Sequence, residues 1–147
     1  MRHGEAEGRA PSDQQRRLTA RGQDDALAAG KALAALNIPL LAHSPYTRTC
    51  ETADAVCNGF APTRETWPEL TPDSSPEQVI EKLQAIQAEC VLLVSHQPLV
   101  GKLTALLVDG AAGFGLPFAT ASIARLHCDV VAPGCARLLW HRSVGEL

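Results

Sequence analysis

Apolar residues along the chain alternate between helical spacing and short continuous runs. A stripe at helical spacing covers residues 26–36, and Thr19 ahead of it is predicted to be the N-cap of a first helix. Residues 40–42 form a short apolar run that predicts a buried strand. Pro45 then suits the first turn of a second helix that extends to about Asn58. This alternation of helix and strand is typical of an α/β domain.

The same alternation continues through the second half of the chain. Four prolines between residues 59 and 76 indicate a loop with one short strand over 63–66. Ser75 as N-cap and Pro76 open a third helix. The apolar run 90–94 predicts a strand that is covered on both faces, as in a parallel sheet. A fourth helix is predicted after Pro98, a Gly-rich loop over 109–117, and two final strands over 120–128 and 136–141.

Composition indicates one globular domain over residues 1–147. The chain is 46% hydrophobic and 20% charged, which suits a single core without disulfide or metal support. A formal charge of -3 and an aromatic content of 4% argue against a general nucleic-acid surface. No apolar run approaches the roughly 20 residues that span a bilayer. Residues 1–7 lack the apolar core of a secretory signal, so we expect a cytoplasmic protein.

The cysteines and histidines show no disulfide or metal pattern. The five cysteines are odd in number and include no Cys-X-X-Cys pair, so in a reducing compartment we expect them to be small buried hydrophobic residues. The histidines do not pair at i and i+4, nor beside a cysteine at zinc-finger spacing, so no metal site is expected. Structural or surface roles are predicted for His43, His127 and His141.

Unusual polar residues stand where the predicted strands end. Arg2 and His3 lie at the start of the chain, Arg48 follows the strand at 40–42, and His96 follows the strand at 90–94. In open α/β sheets, ligands bind beyond the carboxyl ends of the strands. If these ends converge, two imidazoles and two guanidiniums form an environment for a phosphate dianion. The predicted substrate is therefore a phosphoryl compound.

Five motifs occur in order along nearly the whole chain. They are Arg-His-Gly at 2–4, Arg-Arg-Leu-Thr-Ala-Arg-Gly at 16–22, Ser-Pro-Tyr-Thr-Arg-Thr-Cys-Glu-Thr at 44–52, Pro-Glu-Leu-Thr-Pro at 68–72 and Val-Ser-His-Gln-Pro-Leu-Val-Gly at 94–101. Together they resemble the histidine phosphatase, or phosphoglycerate mutase-like, superfamily, and within it the small bacterial SixA-type phosphohistidine phosphatases. The resemblance implies a phosphoglycerate mutase-like α/β fold with three α/β/α layers around a mostly parallel central sheet.

The resemblance also implies roles for four residues. His3 is expected to be the nucleophile, which attacks phosphorus and becomes a phosphohistidine before water hydrolyses it. Arg2 and Arg48 would neutralise the phosphate oxygens and the charge of the transition state. His96 matches the second histidine of the family, which contacts the transferred phosphoryl group.

Four further residues are interpreted one by one. Arg16, rather than the adjacent Arg17, is expected to bind phosphate. Glu69 is the candidate proton donor. The imidazole that leaves a phosphorylated histidine is, however, a weak base with a pKa of about 6.5, so a dedicated acid matters less for this substrate. Gln97 stands where one branch of the family has an acid, which favours phosphohistidine over alkyl phosphate as the substrate. Ser44 is interpreted as a cap of the helix that follows it.

The start of the chain departs from the family pattern. In the family, the Arg-His-Gly triplet follows directly on the first, central strand, whereas Met1 alone precedes it here. We therefore expect either that the chain begins at an internal methionine of a longer reading frame, with its first strand truncated, or that the sheet does without that strand; its absence would leave unpaired edges on its neighbours. A chain extended by that strand is expected to be more stable and more active, which melting temperatures and phosphatase rates would test.

These observations predict a cofactor-free phosphatase that acts on a phosphorylated signalling protein, by resemblance a histidine-containing phosphotransfer domain. Two alternatives stay open: a phosphatase for small phosphate esters, and a phosphate-binding module that has lost catalysis. Neither a nucleic acid nor a membrane is expected as a partner. A monomer is favoured, and the oligomeric state is left open.

Overall fold

The order of elements is that of an α/β domain followed by a hairpin. The computed structural model describes residues 1–147. Its helices are α1 (Ala20–Leu33), α2 (Thr47–Val56), α3 (Pro76–Gln84) and α4 (Leu99–Asp109), and its strands are β1 (Leu40–His43), β2 (Thr63–Thr66), β3 (Val91–Val94), β4 (Ile123–Cys128) and β5 (Ala136–Arg142). Short 3-10 helices occupy Asp13–Gln15, Ala34–Leu36, Pro68–Leu70 and Val144–Glu146. None of the helices combines the length and hydropathy of a membrane-spanning segment.

The strands form a parallel sheet in the order β2-β1-β3 and an antiparallel pair of β4 and β5. Residues 1–3 lie between these two sheets. On one side, His3 N donates to Ser95 O at 3.0 Å, and Ser95 N donates to Met1 O at 3.0 Å. On the other side, Arg2 N donates to Ser122 O at 3.1 Å. The backbone of the first residues thus holds His3 beside the carboxyl end of β3.

Helices cover both faces of the parallel sheet. Leu41 of β1 belongs to a core cluster with buried residues of α1 and α2. Its neighbours Leu40 and Ala42 belong to a second cluster with residues of α3 and α4. Successive side chains of a strand point to opposite faces, so a strand covered on both faces is apolar throughout. The predicted fold, with three α/β/α layers around a mostly parallel central sheet, is confirmed.

Several local predictions differ from the structure. The α-helix predicted to reach residue 36 ends at Leu33 and tightens into the 3-10 turn at Ala34–Leu36, after which Asn37 takes a left-handed φ of 47°. The second helix begins at Thr47 and not at Pro45. The expectation that the cysteines are buried was wrong. All five are free thiols, four are half-buried and Cys135 is exposed, because several of them lie at helix and strand ends.

Gly22 allows the chain after His3 to pack directly on the start of α1. A Cβ atom on Gly22 would lie 2.1 Å from Glu5 O, and one on Gly4 would lie 2.5 Å from Gly22 O. Both obstacles are backbone atoms, which cannot rotate away. The N-cap of α1 adds a further tie, because the Thr19 hydroxyl accepts from Gly22 N at 3.0 Å and donates to the Glu5 carboxylate at 2.8 Å.

We expect Gly22→Ala to lower the free energy of unfolding by about 1–3 kcal/mol, because the added methyl forces the two backbones apart. Urea unfolding followed by circular dichroism measures this loss. Gly8→Ala is the matched control, since a Cβ atom there would meet nothing within 4 Å. Equal free energies of unfolding for the two variants would show that the backbones at Gly22 and Glu5 have room for a methyl group, contrary to this prediction.

Candidate active site

His3 is buried at the centre of the site, with 6% of its surface exposed. Its Nδ1 lies 2.7 Å from Gly4 O, and a carbonyl oxygen can only accept, so Nδ1 carries the ring proton. The Nε group of Arg48 donates to His3 Nε2 at 3.2 Å. Nε2 therefore bears the lone pair, and the imidazole is neutral.

The surroundings of His3 keep it neutral at physiological pH. Its pKa is lowered to about 4, chiefly by burial and further by the positive charges of Arg48, Arg2 and Arg16, while the hydrogen bond to Gly4 acts in the opposite direction. A neutral imidazole nitrogen is nucleophilic, whereas an imidazolium is not. The positive cluster that would receive a phosphoryl group thus also keeps the candidate nucleophile unprotonated.

Arg48 projects from the first turn of α2, directly after β1, and is 4% exposed. In addition to His3, its guanidinium donates from Nη1 to Asp13 O at 2.7 Å and from Nη2 to the Asp13 carboxylate at 3.2 Å. The guanidinium carbon also lies 5.0 Å from the centroid of the Tyr46 ring. The hydrogen bonds from its three nitrogens and the Tyr46 ring against one face of the guanidinium fix both the position and the plane of the cation.

His96 follows β3 and stands beside His3, with 5.1 Å between the two ring centroids. It is 1% exposed, and its Nε2 lies 2.6 Å from Ser44 Oγ. Its Nδ1 is buried and has no hydrogen-bond partner. Burial, followed by the charges of His3 and Arg48, lowers the pKa of His96 to about 2. The ring is therefore neutral and has one nitrogen available to a ligand.

Ser44 belongs to the site, and the prediction that it caps α2 was wrong. Because α2 begins two residues later than predicted, Tyr46 takes the N-cap position and makes no side-chain cap. The Ser44 hydroxyl instead contacts His96 Nε2 and, at 2.7 Å, Thr49 Oγ1. Ser44 and Thr49 are both fully buried, so this pair fixes the orientation of the His96 ring.

Arg2 and Arg16 are two further arginines near this centre. Arg2 donates from Nη1 to Phe118 O at 2.7 Å, and its Nε is buried without a partner. Burial, with a smaller contribution from Arg48, lowers the pKa of Arg2. Arg16 donates to Glu7 O at 2.6 Å and pairs with the Asp13 carboxylate at 3.1 Å. Both guanidiniums lower the pKa of His3, which places them in the same positive field.

The structure separates Arg16 from its neighbour Arg17. Arg17 is exposed and pairs with Glu51 at 2.7 Å on the surface, where its charge lies away from the two histidines. The backbone at Arg16 is extended, and successive side chains of an extended chain point to opposite sides. Of these two adjacent arginines, only Arg16 contributes to the positive charge that lowers the pKa of His3.

Glu69 stands in the 3-10 helix at Pro68–Leu70 and pairs with a lysine of α3. Its Oε1 is 3.7 Å from Lys82 Nζ, and its Oε2 is buried without a partner. No hydrogen bond joins it to His3 or His96. Its role as a proton donor stays a prediction.

We expect the His3 imidazole to remain neutral from pH 8 down to about pH 5 and to titrate near pH 4. In the unfolded chain this group has a pKa of about 6.5. Between pH 6.5 and pH 4 the unfolded chain therefore binds more protons than the folded chain, so the free energy of unfolding falls as the pH falls. For His3 the loss is roughly 3 kcal/mol. An NMR titration of the His3 ring, with urea unfolding at pH 7 and pH 4.5, measures both effects. A ring that titrates near pH 6.5 would contradict this description.

The fold and the site together define a class of protein. Two neutral, buried imidazoles and three guanidiniums lie at the carboxyl edge of a parallel sheet covered on both faces. An uncharged nucleophile among fixed cations is suited to phosphoryl transfer through a phosphohistidine, as in the histidine phosphatases.

Comparisons with known proteins identify the family. The family model for the histidine phosphatase superfamily (branch 1) matches residues 1–71. The chain is 36% identical to a phosphohistidine phosphatase SixA homolog of Haemophilus influenzae over an alignment of 119 residues that covers 71% of this chain and 73% of that protein. It is 37% identical to phosphohistidine phosphatase SixA of Escherichia coli over an alignment of 117 residues that covers 75% of this chain and 73% of that protein.

A solved structure agrees with these relatives. The protein histidine phosphatase SixA complexed with tungstate has a TM-score of 0.89 at 33% identity, with 99% of this chain and 95% of that chain covered. The chain therefore belongs to the histidine phosphatase superfamily, and the resemblance seen in its motifs is confirmed.

Proposed function

We propose that this chain is a phosphohistidine phosphatase, which moves the phosphoryl group of a histidine-phosphorylated protein first to His3 and then to water. The observation that carries this proposal is the state of His3, a neutral buried imidazole whose Nε2 lone pair faces a guanidinium. The two relatives named as SixA-type phosphohistidine phosphatases support the choice of substrate.

In the first step, His3 Nε2 attacks phosphorus and the bond between phosphorus and the substrate imidazole breaks. The substrate ring carries a proton on its other nitrogen, so the electron pair of the broken bond goes to the leaving nitrogen and a neutral imidazole departs. Arg2, Arg16 and Arg48 neutralise the phosphoryl oxygens as the charge redistributes. His96 Nδ1 donates a hydrogen bond to one of these oxygens, which requires its Nε2 to accept from the Ser44 hydroxyl.

In the second step, water attacks the phosphorus on His3. The bond between phosphorus and Nε2 breaks, and its electron pair returns to Nε2. Orthophosphate is released with both protons of the attacking water, and neutral His3 is restored. The low pKa of His3 favours this step, because the imidazole leaves as a weak base.

The pairing of the nearby carboxylates with cations favours a phosphorylated nitrogen over an alkyl ester as the substrate. No carboxylic acid makes a hydrogen bond to His3 or His96, the Asp13 carboxylate is held by two arginines, and Glu69 is paired with Lys82. An alkoxide needs a proton to leave, whereas imidazole is a far weaker base. We further propose that the substrate is a histidine-containing phosphotransfer domain of a kinase cascade, as the family resemblance implies.

The test compares kcat/KM for a histidine-phosphorylated phosphotransfer domain with kcat/KM for p-nitrophenyl phosphate. We expect the phosphoprotein to be preferred by at least about tenfold. A preference for the small ester would support a phosphomonoesterase instead. Binding of orthophosphate without turnover of either compound would support a binding module.

A further inference from the structure

Asp13 joins two of the arginines that the proposed mechanism assigns to the phosphoryl group. It opens the 3-10 turn at Asp13–Gln15. Its Oδ1 accepts from Arg16 Nη1 at 3.1 Å, its Oδ2 accepts from Arg48 Nη2 at 3.2 Å, and its carbonyl oxygen accepts from Arg48 Nη1 at 2.7 Å. Its carboxylate thus bridges two guanidiniums, as two oxygens of a bound phosphate would.

These contacts account for every nitrogen of the Arg48 guanidinium. Nε is bonded to His3, and both terminal nitrogens are bonded to Asp13. An incoming phosphoryl group on His3 Nε2 therefore meets a cation that already has an anionic partner. A phosphoryl oxygen that approaches Arg48 Nη2 along the direction now taken by the Asp13 carboxylate competes with that carboxylate.

The two partners differ in their freedom to move. The Arg48 side chain is 5% exposed, whereas that of Asp13 is 53% exposed. A surface cavity of about 530 Å³ opens beside Asp13 and Arg16, so the carboxylate can turn toward solvent while the guanidinium stays in place. Such a pair with one exposed member is easily broken.

Asp13 remains charged at the pH at which a phosphatase works. Partial burial acts against its ionisation, but the hydrogen bonds and charges of Arg16 and Arg48 outweigh that effect and hold the pKa of its carboxyl below the usual value. A fixed negative charge beside the site repels a phosphate dianion.

We propose that Asp13 is a positioning residue that holds Arg16 and Arg48 in place between turnovers and competes with orthophosphate for them, so that the product is bound weakly and leaves. This proposal rests on the phosphatase function proposed above. The carboxylate keeps the two guanidiniums near their working positions when no anion is bound, and it returns to them as phosphate departs. The predicted consequence is a site that turns over rather than one that stays blocked by its product.

Orthophosphate binding by isothermal titration calorimetry tests this proposal without any substrate. Asp13→Asn keeps the shape of the side chain and removes its charge, and we expect it to bind orthophosphate about tenfold more tightly than the unaltered protein. Asp13→Ala should also bind it more tightly. Asp25→Asn is the matched control, because Asp25 pairs with Arg21 at 3.8 Å on the surface of α1. The affinity of this variant for orthophosphate should equal that of the unaltered protein.

Steady-state kinetics supplies a readout that a merely structural role would not move. In Asp13→Asn, we expect kcat and KM to fall together, because the product leaves more slowly, while kcat/KM changes little. Unchanged or weaker orthophosphate binding in both Asp13 variants, at an unchanged melting temperature, would overturn the proposal and leave the phosphatase function intact. If neither the unaltered protein nor Asp13→Asn binds orthophosphate, this role of Asp13 is wrong, while the phosphatase function is decided separately by turnover of the phosphohistidine protein.

Discussion

His3→Ala is expected to lower kcat/KM for a phosphohistidine protein at least about 1000-fold, because it removes the nitrogen to which the phosphoryl group is transferred. No other side chain can take over this role in the structure. His96 is the nearest imidazole, but its Nε2 is engaged by Ser44, and its ring lies 5.1 Å from that of His3 between centroids. Release of orthophosphate under single-turnover conditions measures the loss.

A second variant separates chemistry from folding. His3→Gln retains a polar side chain that can accept from Arg48 Nε, but it has no ring nitrogen to phosphorylate. We expect the same loss of turnover with a melting temperature close to that of the unaltered protein. His127→Ala is the control, since the side chain of His127 is 57% exposed and lies on β4. Substantial turnover by folded His3→Gln would exclude His3 as the nucleophile.

Arg48→Lys is expected to lower kcat by about 100-fold to 1000-fold with a much smaller change in KM. A lysine carries the same charge but cannot make three directed contacts from one planar group, as Arg48 does with His3 and Asp13. Because the guanidinium stabilises charge that develops as phosphorus is transferred, its loss is felt mainly in the transition state.

The matched control for this variant is Arg21→Lys. The side chain of Arg21 is 78% exposed and has only a surface pair with Asp25, so turnover should not change. Arg48→Ala should be at least as impaired as Arg48→Lys. If Arg48→Lys retains nearly full kcat, charge alone is sufficient at this position and the fixed guanidinium geometry is not required.

Much of the fold could be predicted because its elements are marked locally. The continuous apolar runs at β1 and β3 indicate strands covered on both faces, and the structure places helices on each side of them. Thr19 and Ser75 mark two helix starts through their side-chain caps, which are present in the structure. The end of α1 and the start of α2 were misplaced by two or three residues, since propensity alone does not distinguish the last α-helical turn from a 3-10 turn.

The candidate site could be predicted only where motifs carry it. Nothing local to Ser44 indicates that its hydroxyl contacts a histidine 52 residues further along the chain. The same holds for Asp13, which accepts hydrogen bonds from Arg48, 35 residues away. Both contacts depend on how strand ends and loops converge, which periodicity and capping do not encode. Three acidic residues, Glu5, Glu7 and Asp13, lie between Arg-His-Gly and Arg16, and nothing in the sequence distinguishes Asp13 from the other two.

The central claim is that the phosphoryl group passes through Nε2 of His3. Rapid-quench mixing with a histidine-phosphorylated protein, followed by mass spectrometry and detection specific for each phosphohistidine isomer, tests this most directly. Because Nδ1 is held by Gly4 O at 2.7 Å and Nε2 carries the lone pair, we expect an acid-labile phosphate on Nε2 of His3. It should form and decay at rates consistent with kcat and be absent from His3→Gln. A phosphate on Nδ1 or on another residue, or turnover with no phosphoenzyme at any time, would contradict the mechanism.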